Sequence, residues 1–188
     1  MSSYSYQYGC GDDEALHVCH DCPGGREPEY GRVQRSGFVK DAYYATIKAD
    51  PTDLAAWQAG VSSGQIIIIP ETTGSYDPGD PKEGKGFGKR PFTYGLRTMT
   101  LSIGDPDYFD NYHFYNEISE RTDLIPFFVT SSILHLFDKP ASIKAKDPVT
   151  EELDDEVYWQ VECQVKSKNI PSKHRVAAIE TIFECSTF

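Results

Sequence analysis

The chain has 188 residues, 39% of them hydrophobic, with a formal net charge of −11, enough for one domain with a proper core. That charge speaks against gripping a nucleic-acid backbone, which calls for Lys and Arg to displace counterions, and against an anionic membrane surface. With 12 Tyr, 10 Phe, 2 Trp and only 2 Met, alongside 15 Gly and 12 Pro, a few large side chains do the burying, and strands and turns are expected rather than a helical bundle.

The start, Met1 to Tyr8, has no basic region followed by an apolar core, so no signal peptide is expected. The longest aliphatic run, Ile66 to Ile69, is far too short to span a bilayer. A soluble protein made in a cytoplasm is the simplest reading.

Residues 1–30 read as an N-terminal arm carrying Cys10, His17, Cys19, His20 and Cys22. Cys19-x-x-Cys22 is the knuckle spacing that lets two thiolates reach one ion, and Cys10 with either His17 or His20 completes a tetrahedron. Four protein ligands leave no open position for water, so the expected metal is a structural zinc pinning the arm, with no other cofactor. The alternative is a polar loop whose thiols stay reduced.

Residues 31–188 read as a single β-rich domain. Arg32 to Ile47 alternates well enough for one or two strands, anchored by Val33, Phe38, Val39, Tyr43 and Tyr44. Asp50-Pro51-Thr52-Asp53 opens a short helix with Asp50 as cap, Leu54 and Trp57 on its buried face and Gly60 at its end. Ile66 to Ile69 is a strand buried on both sides. Pro70 to Arg90 then changes composition sharply and shows no periodicity. Loops that long are functional or disordered; this one holds Pro70, Tyr76, Lys85, Phe87 and Arg90. Its Gly84-x-Gly86-x-Gly88-Lys89-Arg90 lacks the Ser or Thr of a phosphate-binding loop and reads as a hairpin tip.

The centre of the chain, Phe92 to Phe137, reads as strand, helix, strand. Phe92 to Ile103 is rich in Thr, aromatic and β-branched residues. Asp105-Pro106 supplies a helix start, and Tyr108, Tyr112, Tyr115 and Ile118 fall about one turn apart on a core-facing helix between Asp107 and Glu120. Ile125 to Thr130 and Ser132 to Phe137 follow as strands, and a shorter one lies around Ala141 to Ile143. The acidic run from Glu151 to Glu156 lacks the oxygen spacing of a calcium loop and reads as a solvated connection. In Val157 to Lys166 alternation is strict, with Trp159, Val161, Cys163 and Val165 on one face. Ser167 to Arg175 is a connection, and Val176 to Phe188 a last strand.

There is no Gly-x-Ser-x-Gly elbow and no His-Glu-x-x-His. His113 and His135 sit among aromatic and strand residues, where a structural role is expected. The fold class is therefore mainly β, an antiparallel sandwich or barrel with one principal helix packed on it, and the expectation is not an enzyme.

This order of elements resembles the tail-tube and ring or neck proteins of tailed bacteriophages, especially those infecting Bacteroidetes. The resemblance rests on the Gly/Pro-rich excursion, Phe92 to Ile103, the aromatic helix, Phe127 to Phe137, the strand with Trp159 and the terminal Ile182-Phe183-Glu184-Cys185. It implies a virion protein made in the host cytoplasm. Copies of the chain would form a ring or stacked rings with other phage virion proteins, around a channel that DNA passes without specific binding. The Pro70 to Arg90 excursion would be the assembly loop that reaches onto a neighbour, through Pro70, Tyr76, Lys85, Phe87 and Arg90. The Cys/His arm is not part of that pattern. The competing reading is a monomeric carbohydrate-binding β-sandwich using exposed Tyr and Trp. A zinc enzyme built on the Cys/His cluster would need an acid or base nearby, for which only Glu14 or Asp21 is at hand.

Protein purified without chelator is expected to carry about one zinc per chain. Elemental analysis showing none would remove the structural-zinc reading.

Overall fold

The structure, a computed structural model, describes residues 32–69, 72–81, 95–130, 133–148 and 157–175. The elements run β1 (Arg35–Lys40), α1 (Asp41–Ala49), α2 (Leu54–Ser62), β2 (Ile66–Ile69), β3 (Thr73–Asp77), β4 (Arg97–Asp105), α3 (Tyr112–Ile118), β5 (Leu124–Val129), β6 (Ile133–Leu136), β7 (Ser142–Lys146), β8 (Trp159–Ser167) and β9 (Ser172–Arg175). They form two sheets, β2-β1-β5-β6-β9 and β3-β4-β8-β7, antiparallel throughout. The mainly β expectation holds, as an open sandwich rather than a closed barrel; the short helix after Asp53 and the central helix were both foreseen, and α1 is added to them.

The core lies in two layers because β5 is buried along its whole length. Phe128 and Leu124 face the inter-sheet layer, packed with Phe38, Met99, Leu101, Val161, Cys163 and Val165. Phe127 and Val129 face the other way, into a second layer with Ile47, Trp57 and Ile66 beneath α1 and α2. Such a strand shows a continuous apolar run instead of alternation. Trp57 meets the Phe127 ring edge-on, with centroids 5.0 Å apart. A Cβ on Gly37 would sit 2.6 Å from the Phe127 ring and 2.3 Å from the Ile67 carbonyl, so only glycine fits below that ring.

Several boundaries differ from the sequence reading. The second half of Arg32 to Ile47 is helix α1: Tyr43 and Tyr44 pack on the second layer, which spaces its apolar residues at helical period. Asp53, not Asp50, caps α2 by accepting from Ala55 N at 2.9 Å, while Asp50 holds the preceding turn through Thr52 N and Oγ1. Within the Pro70 to Arg90 excursion, Thr73–Asp77 is a strand, and it inserts Tyr76 between Phe128 and Phe137. Ser172–Arg175, read as connection, pairs with β6. The stretches around Pro70, Lys85, Phe87 and Arg90, the acidic run, the Cys/His arm and the C-terminal strand lie outside the described residues.

The largest departure is at the central helix. Asp105 does not start it; it is the last residue of β4, 1% exposed, and its carboxylate points inward. Oδ1 accepts from Asp107 N at 2.9 Å, and Oδ2 accepts from Asn111 Nδ2 at 2.8 Å and from the Tyr115 hydroxyl at 2.5 Å. Three donors satisfy a charge that would be costly to bury alone. Tyr115 and Ile118 are buried as expected, and Tyr115 stacks on Trp159 with centroids 5.0 Å apart. Tyr108 lies in the turn before α3, yet still reaches Trp159, whose Nε1 donates to the Tyr108 carbonyl at 2.8 Å. Tyr112 is 52% exposed, because a helix that begins there turns its first side chain away from the sheet.

Burial, then the hydrogen bond to Asp105, hold the Tyr115 phenol far above its ordinary value near 10. The folded state therefore keeps a proton that the unfolded chain loses, so stability is fully present below about pH 10 and declines as pH rises beyond it. Tyr115→Phe is expected to cost about 1.5–3 kcal/mol at neutral pH, the loss of a bond to a charged group, and to flatten the alkaline decline. Urea melts at pH 7 and above pH 10 measure both.

Candidate functional site

Two surface features stand out. The first is the set of sheet edges. In the four-stranded sheet, β3 has its outer side closed in part by an antiparallel bridge from Val33 to Gly74. On the opposite edge, β7 carries Lys144 and Lys146. In the five-stranded sheet, β9 is Ser-Lys-His-Arg. Charged side chains on an edge discourage pairing with another chain. The remaining edge, β2, is Ile-Ile-Ile-Ile, paired with β1 from Ser36↔Ile69 to Val39↔Ile66, and no described strand pairs its other side. Its two faces are covered: Ile66 and Ile68 lie against the helical layer, Ile67 and Ile69 against the inter-sheet core. Among the described residues, what β2 leaves unpaired by a strand is its outer backbone edge. Near Trp159, at the start of α3, Phe109 is 88% exposed, one turn ahead of Tyr112. Exposed aromatic side chains of this kind are typical anchors of protein interfaces.

The second feature is a trough of about 270 Å³ on the outer face of the four-stranded sheet. Alternation turns Met99, Leu101, Val161 and Cys163 inward, leaving the other parity of each strand outside. Two rows of that face build the trough. One runs Thr73, Gly104, Gln160, Lys146; the next runs Ser75, Ser102, Glu162, Lys144. Gly104 is buried within it, and the space a side chain would take is already filled: a Cβ there would lie 3.0 Å from Thr73 Oγ1 and 3.3 Å from the Tyr158 ring, which leans over the glycine from the start of β8. Tyr158 is 38% exposed, and its hydroxyl accepts from Gln160 Nε2 at 3.1 Å.

Of the residues singled out in the sequence, Tyr76 lies on β3 and packs, partly buried, against the inter-sheet core. Both tryptophans are buried, so indole rings do not supply an exposed sugar platform. His135 stacks on Phe128 with centroids 4.3 Å apart. Cys163 is buried, and burial raises its thiol well above the usual range, which makes it unreactive. Among the described residues no group of three or more His, Cys, Asp or Glu is arranged to hold a metal ion, and no helix is long and apolar enough to cross a membrane. The sequence reading missed the trough. Its signal was the polar parity of Thr100-x-Ser102-x-Gly104 and Tyr158-x-Gln160-x-Glu162, which becomes a site only when the two strands are set in register.

No protein-family model, curated protein or solved structure matches this chain.

Proposed function

We propose that the chain is a structural subunit of the tail-tube or neck-ring class of tailed bacteriophages, joining copies of itself into a ring around a channel for DNA. The observation that carries this reading is the β2 edge. Four consecutive isoleucines with no charge, proline or glycine make a flat strand that invites pairing, while the other edges carry charges or a bridge. A neighbouring copy would use the backbone groups of β2 and cover an edge that would otherwise drive disordered aggregation. Phe109 and Tyr112 supply aromatic anchors for a contact of the same kind.

The charge fits a conduit. A net charge of −11 spread around a ring repels phosphate and lets a duplex slide without being held. The polar outer face of the four-stranded sheet is suited to water rather than to burial.

The purified chain is expected to form rings or short tubes in negative-stain images. Phe109→Glu, which removes no buried contact, should shift the protein to monomer in sedimentation. A wild-type chain that stays monomeric at high concentration would sink the reading.

A further inference from the structure

We infer that the trough over Gly104 is a binding site for a sugar acid, a pyranose ring bearing a carboxylate. The inference is independent of assembly, since the trough lies on the face of the four-stranded sheet and the β2 edge belongs to the other sheet.

Size comes first. At about 270 Å³ the trough falls just below the ~300–1,000 Å³ of sites for drug-sized ligands, so it takes a small ligand or the end of a longer one. Shape comes from Tyr158, whose partly exposed ring packs over the buried Gly104 and walls one side. An aromatic wall suits a ligand with one apolar C–H face and a polar rim.

The lining then narrows the chemistry. The Ser102 hydroxyl, which both donates and accepts, and the Glu162 carboxylate, which accepts, match the rim of a polyhydroxylated ring. Glu162 is already held in place by Gln164 Nε2 at 2.5 Å. Lys144 and Lys146 stand two residues apart on β7, on the same side of the trough, and neither ammonium is in an ion pair among the described residues. Two cations against one carboxylate leave the trough locally positive on a chain of net charge −11. A neutral sugar would leave that charge unmatched, and a bare inorganic anion would leave the Tyr158 ring unused. A carboxylated pyranose uses both.

Titration calorimetry on the full chain tests this with three probes: trigalacturonic acid, the neutral cellotriose, and inorganic phosphate. Trigalacturonic acid is expected to bind saturably, with the other two weaker by about tenfold or more, the worth of one charge-assisted contact. Lys144→Gln and Tyr158→Leu should each weaken trigalacturonate about tenfold or more while leaving the melting temperature within a few degrees of wild type. Both positions are at the surface, so folding is preserved. Absence of trigalacturonate binding at millimolar concentration would overturn the inference. Phosphate binding as tightly would reduce the site to its two ammonium groups and overturn it too. Variants that bind like wild type would place the ligand elsewhere.

Discussion

A single buried carboxylate pins the aromatic helix to the end of β4, where the chain leaves one sheet for the other. Asp105 ends β4 facing inward, and its two oxygens collect the Asp107 amide, the Asn111 side chain and the Tyr115 hydroxyl. β4 belongs to the four-stranded sheet and β5 to the five-stranded one, so the segment from 106 to 123 is one of four crossings between sheets among the described elements. A seven-residue helix is far too short to hold its own shape in water. Here the carboxylate fixes its entry, and Trp159, Tyr115 and Ile118 fix its buried side. Ser119 Oγ also accepts from Ala145 N at 3.3 Å, which ties the end of α3 to β7.

With the crossing held, the layers follow. β5 lies between two apolar layers, one shared by the sheets and one under α1 and α2. Pro126 within it costs little: its carbonyl accepts from Phe137 N at 3.3 Å, so its missing N–H faces the same side, past the end of β6. The helical layer closes one broad face of the sandwich, and the polar parity of β3, β4, β7 and β8 is left on the other. An assembling subunit needs such a division, with a rigid apolar interior and distinct outer surfaces for neighbours and for solvent. The proposed β2 contact and the proposed trough draw on different parts of it, one on backbone left unpaired at an edge, the other on side chains left outward by the pleat.

The sequence by itself determined the class of the fold and most of its interior. Strict alternation in Trp159 to Val165 and the apolar runs at Ile66 to Ile69 and Ile125 to Val129 specify strands, since side-chain period reports directly on which faces are buried. Tyr115 and Ile118 were legible as core for the same reason. Only the tertiary structure decided the rest. Tyr43 and Tyr44 are spaced like strand anchors over a short window, and it is packing on the second layer that makes them helical. Thr73–Asp77 has too little apolar content to announce itself, and becomes a strand because β4 offers it an edge. Asp105 carries the local signal of a helix cap, but its burial between strand and helix comes from partners six and ten residues away. The trough is the plainest case: Gly104, Lys144 and Tyr158 are distant in the chain, and only the register of β4, β7 and β8 puts them side by side. Local periodicity sets what a segment buries; which segments meet depends on contacts between residues that no short window contains.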